Sequence, residues 1–179
     1  MTKKHSLLIL MTLLFSCTNK RPFEKFDLSY SAEHADYSIE FTQSDTVFLR
    51  YNFSYLDIYD SIDAPKSKTS YYAILEKKDC NEFDNMLREV DFEKYDTAYY
   101  QDFVDGLEYK IYIKRRNLEK TIYIRSLHAP RELDALARWI DILVENLKLN
   151  KIDRELNFKS KLNSLPFIPP PKVISDDSL

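Results

Sequence analysis

The feature that most constrains the fold is an apolar stripe in the C-terminal third of the chain. Its members fall at i, i+3, i+4, i+7, i+10, i+11 and i+14, which is the spacing of one helix face: Leu133, Leu136, Ala137, Ile140, Leu143, Val144 and Leu147. Burying each large side chain stabilises the fold by about 1.5–3 kcal/mol, so this helix must pack against an apolar surface. Pro130 suits its first position, where a missing N–H costs nothing.

Alternation of apolar and polar residues predicts strands elsewhere. Residues 37–42 and 47–53 form one predicted hairpin, and residues 107–114 and 122–125 form a second. Two further short strands are predicted at residues 26–30 and 71–75. A second helix is predicted where apolar residues recur at helical spacing, with Asp79 or Asn81 as its cap: Phe83, Met86, Leu87 and Val90.

The expected fold class is therefore α+β. We expect a two-layer domain in which an antiparallel sheet of about five or six strands is packed on one face by two helices. The available apolar surface for the helices is the sheet itself.

Glycine is almost absent, with Gly106 as its only occurrence in 179 residues. Phosphate-binding loops, dinucleotide-binding turns and nucleophile elbows need several glycines, because their backbone approaches a ligand closely or adopts positive φ. The composition excludes these sites.

The first residues have the order of a secretory signal: a cationic start at Lys3 and Lys4, an apolar core over residues 7–15, and small residues at its end. As a helix the core reaches roughly 14 Å, against about 30 Å for a bilayer, which is too short for a permanent span. The segment then ends in a four-residue motif that resembles the lipobox of bacterial lipoproteins: Leu14, Phe15, Ser16 and Cys17.

The overall layout is similar to the small lipoproteins common in Bacteroidota. This resemblance implies cleavage before Cys17, a diacylglyceryl thioether on the Cys17 side chain and, usually, an acylated amino terminus. Two or more chains hold a protein stably on a membrane. Thr18 favours the outer membrane, where an aspartate would resemble an inner-membrane retention signal, and the basic stretch that follows favours the periplasmic side over the cell surface. A cleaved signal with an incidental cysteine is the alternative.

We therefore expect a signal peptide at 1–16, a lipidated tether at 17–25, an α+β domain at 26–150 and a Pro-containing tail at 151–179. Cleavage removes two lysines and no acid, so 163 residues remain and the formal charge changes from −3 to −5. A mildly acidic chain argues against nucleic acid as a partner.

No motif for catalysis, metal binding or a cofactor is visible. The mature chain would keep one thiol, Cys80, which we interpret as a half-buried structural residue. His34 beside two acids matches no known ligand spacing, His128 precedes a helix start, and three acids spaced every third residue, Asp57, Asp60 and Asp63, lack the glycine of a calcium loop. We interpret these residues as solvated loops and assign no catalytic, metal or cofactor site.

A long loop carries apolar residues that are candidates for a partner contact: Tyr55, Leu56, Ile58 and Tyr59. Trp139, off the helix stripe, is a further candidate. Packing back onto the sheet is the alternative for both. The proline-rich run at 165–171 favours polyproline II and belongs either to a tail that lies along the domain or frays from it, or to a docking peptide for a partner.

The first hypothesis is a non-catalytic, membrane-anchored envelope lipoprotein that binds another protein. The alternative is a periplasmic immunity or inhibitor lipoprotein, in which an acidic domain captures a basic enzyme. A third hypothesis is a hydrolase of cell-wall or glycan material that uses a carboxylate pair.

Overall fold

A computed structural model describes residues 20–32, 35–53, 69–101 and 107–162. Within them lie eight strands and two helices. The strands are β1 (Lys25–Ala32), β2 (Ala35–Phe41), β3 (Thr46–Phe53), β4 (Ser70–Ile74), β5 (Ala98–Tyr100), β6 (Glu108–Arg115), β7 (Leu118–Arg125) and β8 (Asn150–Ile152). The helices are α1 (Lys77–Glu89) and α2 (Arg131–Glu145).

The strands form one sheet in the order β5-β7-β6-β1-β2-β3-β4-β8. The α+β architecture, a sheet packed against helices, is confirmed, and both hairpins pair as the alternation predicts. The expected count of five or six strands is wrong, because β5 and β8 add one short strand at each edge. The sheet is also mixed, since β5 runs parallel to β7. Three-residue strands are too short to show an alternation in the sequence.

One face of the sheet forms the core with both helices. Phe26, Leu28 and Ile39 are fully buried on it, and so are the stripe residues Leu133 and Ile140 of α2. This burial confirms the stripe as the packing face. No helix in the described ranges is long and apolar enough to cross a membrane.

Both helices lie across the strands and run in opposite directions. Helix α1 follows β4, packs Phe83 against Phe26 of β1, and reaches β6, where Arg115 donates to the Leu87 carbonyl oxygen. Helix α2 returns towards β4, and on the way the Tyr37 hydroxyl of β2 donates to Asp141 at 3.1 Å. A furrow therefore runs between the two helices above the centre of the sheet.

Helix α1 begins earlier than predicted. Its first residue is Lys77, and its N-cap is Glu76, which makes no side-chain capping hydrogen bond. The predicted caps, Asp79 and Asn81, lie inside the helix. Pro130 is likewise the residue before α2 and not its first residue. The Leu75 N–H bonds to the Asp45 carbonyl of the β2–β3 turn at 2.7 Å, which holds the chain two residues before α1 begins.

The packed part of the chain reaches beyond the predicted boundaries at its N-terminal end. Arg21 is buried, and its guanidinium donates to Asp84 of α1 and to the carbonyl oxygens of Thr42 and Ser44 at 2.9–3.0 Å. Phe23 is also buried in the core. The segment expected to be a tether over 17–25 therefore belongs to the domain from Arg21 onwards.

The C-terminal segment over residues 153–162, here named the strap, crosses the face of the sheet opposite the helices. The strap leaves β8, places Arg154 over the Phe48 ring of β3, and ends where the Lys161 carbonyl accepts a bond from Lys110 of β6. The first part of the predicted tail thus lies along the domain. Residues 163–179 lie outside the described ranges.

The strap seals a chain of buried polar groups on this face. The Ser160 N–H donates to Asp27 Oδ1 at 2.6 Å, and the Ser160 hydroxyl lies 3.1 Å from that of Ser29, which in turn lies 2.6 Å from that of Ser38. Asp27 is fully buried, and its Oδ2 has no hydrogen-bond partner among the described residues; Lys25 Nζ lies 3.9 Å away. Burial raises the pKa of Asp27, against the opposing effects of Ser160 and Lys25.

The stripe predicts a clear difference between two neighbouring substitutions on α2. Ile140 is fully buried and Ile142 is 61% exposed. We expect Ile140→Asp to unfold the domain, because an unpaired buried charge and a lost apolar side chain together cost more than about 3 kcal/mol. Ile142→Asp is the matched control and should leave the melting temperature almost unchanged. An unaltered melting temperature in Ile140→Asp would contradict the packing described.

Asp27 predicts a pH-dependent stability. Because its pKa is raised in the folded state, its contribution is fully present below the ordinary aspartate pKa of about 3.9 and is lost as pH rises through the raised value. The free energy of unfolding should therefore fall between pH 4 and pH 7 relative to that of Asp27→Asn. Urea titrations across this range measure the difference, with the exposed residue changed in Asp153→Asn as control. Parallel curves for wild type and Asp27→Asn would contradict the prediction.

Candidate functional site: a cleft between the helices

The strongest candidate site is a cleft at one end of the furrow between α1 and α2, here named the helix cleft. Its volume is about 410 Å³, and it lies between the N-terminal part of α1 and the C-terminal part of α2. The apolar lining includes Ile74 at the end of β4 and Trp139, Ile142, Leu143 and Leu147 from α2 and its end. Ile74 and Ile142 are 57% and 61% exposed, which is unusual for large aliphatic side chains.

The position of Trp139 explains why this furrow is apolar. The α2 stripe faces the sheet, and Trp139 lies beside it, half-buried, with its ring stacked over Phe83 of α1. The two ring centroids are 6.0 Å apart and the rings are inclined by 20°. Phe83 itself is fully buried and stacks on Phe41 of the sheet, with centroids 3.8 Å apart. Trp139 is therefore held in place from below while it lines the cleft.

The rim of the helix cleft is acidic on the α1 side. Glu76, Asp79 and Glu82 line this wall, together with one cation, Lys78, and Lys148 stands at the opposite wall. These side chains are exposed or half-buried, so they are hydrated when the cleft is empty. The arrangement combines an apolar floor with a polar rim, as in the binding sites of peptides and proteins.

A second hollow lies at the other end of the furrow. Its volume is about 280 Å³, and Met86, Val90 and Ala135 provide its apolar lining. Glu89, Arg131 and Glu132 stand around it. The Phe83–Trp139 contact lies between the two hollows and separates them.

The structure describes only part of the predicted contact set. Trp139 lines the helix cleft, whereas Tyr55, Leu56, Ile58 and Tyr59 lie outside the described residues, as do Cys17, His34 and Asp57. Sequence reasoning missed Ile74 and the acids of α1. The sequence does contain a sign that Ile142 is exposed, because Ile142 is a large apolar residue on the polar side of an amphipathic helix.

The described groups whose pKa values are raised by burial lie in packed regions and do not line the helix cleft. Burial raises the pKa values of Tyr30, Tyr37 and Tyr109 beneath α2, and nearby Asp141 or Asp134 adds to the effect. Burial also raises the pKa of the Cys80 thiol, which keeps it protonated and poorly nucleophilic. Within the described ranges, no group of three His, Cys, Asp or Glu side chains is placed to hold a metal ion.

Two carboxyl groups with raised pKa values lie on the strap side of the sheet. Burial raises the pKa of both Asp27 and Asp36. Asp27 is sealed beneath Ser160, and Asp36 accepts a hydrogen bond from Asn52 at 3.0 Å. Neither lines the helix cleft. The chemistry that the cleft offers is therefore apolar contact and ion pairing.

The chain matches no protein-family model, no curated protein and no solved structure.

Proposed function

We propose that this protein is a membrane-anchored envelope lipoprotein that binds a partner protein in the helix cleft. The observation that carries the proposal is the combination of a half-buried tryptophan with two exposed isoleucines, Ile74 and Ile142, in one cleft. Exposed apolar residues grouped around an aromatic anchor are typical of protein contact sites.

The anchoring part of the proposal is supported by the sequence before Arg21. The lipobox-like residues that end at Cys17 favour lipidation, and the secretory character of the segment favours export. The outer membrane, facing the periplasm, is the proposed location. The remaining chain is then an acidic domain without a recognisable catalytic motif, which suits a binding role.

The acidic rim favours a second candidate, an immunity or inhibitor lipoprotein. Glu76, Asp79 and Glu82 form a wall that would attract a basic partner, and such complementarity speeds association and improves specificity. In this alternative the partner is a basic enzyme whose active site the protein covers. The hydrolase hypothesis has less support, because Asp27 lies beneath the strap and cannot meet a substrate there.

Site-specific photo-crosslinking in intact cells tests the proposed function. A photoreactive residue in place of Ile142 should form one defined adduct, whereas the same residue in place of Lys159, exposed on the strap, should form none. When Ile74→Asp is added to the variant with the photoreactive residue at position 142, the adduct should be lost, because the substitution places a charge on the apolar side of the cleft. Equal labelling from both positions would contradict the proposal.

Charge reversal of the rim distinguishes the two candidates. Asp79→Lys with Glu82→Lys should weaken the adduct about tenfold or more if the partner is basic, since two favourable contacts become repulsive. An unchanged adduct would favour apolar recognition and would contradict the inhibitor alternative. The melting temperature of each variant controls for folding.

A further inference from the structure

The folded domain begins very close to the proposed lipid anchor. Only Thr18, Asn19 and Lys20 separate Cys17 from Arg21, and Arg21 is fixed by its bonds to Asp84, Thr42 and Ser44. Four residue steps span at most about 14 Å of extended chain. If Cys17 carries lipid, as proposed above, the part of the domain around Arg21 must therefore lie next to the membrane.

The part around Arg21 is one end of the sheet, here named the turn end. Arg21 and Gln43 tie the N-terminal segment to the β2–β3 turn over residues 42–45. Between Arg21 and the start of β1, the Glu24 N–H donates to the Lys114 carbonyl of β6 at 2.7 Å. The β6–β7 turn at Arg116 follows directly, so it lies at this same end.

The β6–β7 turn is the basic part of the turn end, since acids such as Asp45 and Asp84 lie near Arg21 in its other part. Residues 114–120 include four cations, Lys114, Arg115, Arg116 and Lys120, and one acid, Glu119, although the mature chain would be acidic overall. This local excess of cations favours contact with anions.

The cations of this turn divide into two that serve the fold and two that face solvent. Arg115 donates to the Leu87 carbonyl and Lys120 donates to that of Phe92, so both are committed to packing. Lys114 and Arg116 are exposed, as is Lys20. Among the described residues, the ion pair of Lys114 is a long, exposed contact of 3.9 Å to Glu24, and such pairs hold a side chain weakly.

We propose that the turn end rests on the membrane and that Lys20, Lys114 and Arg116 bind the headgroups of anionic phospholipids. The anchor brings these cations to the surface, and the headgroup phosphates then replace their hydration. Each cation near an anionic leaflet raises the occupancy of the bound orientation about fivefold. The contact fixes the orientation of the domain and leaves the opposite end of the sheet pointing away from the membrane.

The full-length lipoprotein, purified from membranes and reconstituted into vesicles, tests this orientation. One vesicle population contains phosphatidylcholine alone, and the other contains one part in three phosphatidylglycerol; both carry a headgroup-bound quencher. A fluorophore is attached at Asn117→Cys in the β6–β7 turn, or at Leu127→Cys, which is 83% exposed after the opposite end of β7. Both variants also carry Cys80→Ser, so that labelling of the domain is specific.

We expect the Asn117 label to be quenched more strongly in anionic than in neutral vesicles, and the Leu127 label to be equally weakly quenched in both. Lys114→Glu with Arg116→Glu should remove the difference, whereas Arg131→Glu with Lys151→Glu, which changes net charge equally on exposed residues, should preserve it. High salt should also remove the difference in quenching between the two vesicle types, because it screens exposed charges.

Flotation separates failure of this inference from failure of the proposed anchor. Protein that floats with both vesicle types but shows equal quenching of the Asn117 label in both would overturn the lipid contact alone. Stronger quenching of the Leu127 label than of the Asn117 label would also overturn the lipid contact. Protein that floats with neither vesicle type would overturn the anchor and, with it, this inference.

Discussion

The packing of one side chain, Phe83, joins every part of the structure that bears on function. Its fully buried ring stacks on Phe41 of the sheet and lies edge-on to Phe23, and on its other side it stacks with Trp139 of α2. The Arg21 guanidinium lies 5.3 Å from the same ring centroid. The N-terminal segment, the sheet and both helices are thus held at one point. The position of the helix cleft and the closeness of the domain to Cys17 both depend on this point.

The two faces of the sheet are covered in different ways, and the difference matters for function. The helix face is buried by aromatic and aliphatic packing, which fixes the helices and leaves an apolar cleft between them. The strap face is polar, and its closure depends on hydrogen bonds from Ser160 to Asp27 and Ser29. A buried carboxylate with an unpaired oxygen stabilises this closure poorly. The proposed binding cleft therefore lies on the apolar side of the sheet.

The sequence predicts the helices and strands that have strong periodicity. It predicts few of the features that depend on contacts between residues distant in the chain. The stripe through Leu133 and Ile140 correctly predicts α2, and alternation predicts both hairpins. The strands β5 and β8 are too short to carry a pattern, and α1 starts at Lys77 without a capping residue that a sequence would reveal. A tail along the domain was one of the predicted alternatives, but the contacts of the strap could not be predicted, because the partners of Ser160 lie 131 and 133 residues away. Trp139 was a predicted contact, but the cleft also needs Ile74, which only the assembled fold places beside it.

The proposed location of the domain at the membrane depends on the chemical state of Cys17. The N-terminal mass of the protein, measured intact after extraction from cell membranes, tests this state directly. The account predicts a mature chain that begins at Cys17 and carries the added mass of a diacylglyceryl group and an amide-linked acyl chain. A chain that begins at another residue, or a Cys17 without lipid, would contradict the account, because the turn end would then have no reason to lie against a membrane.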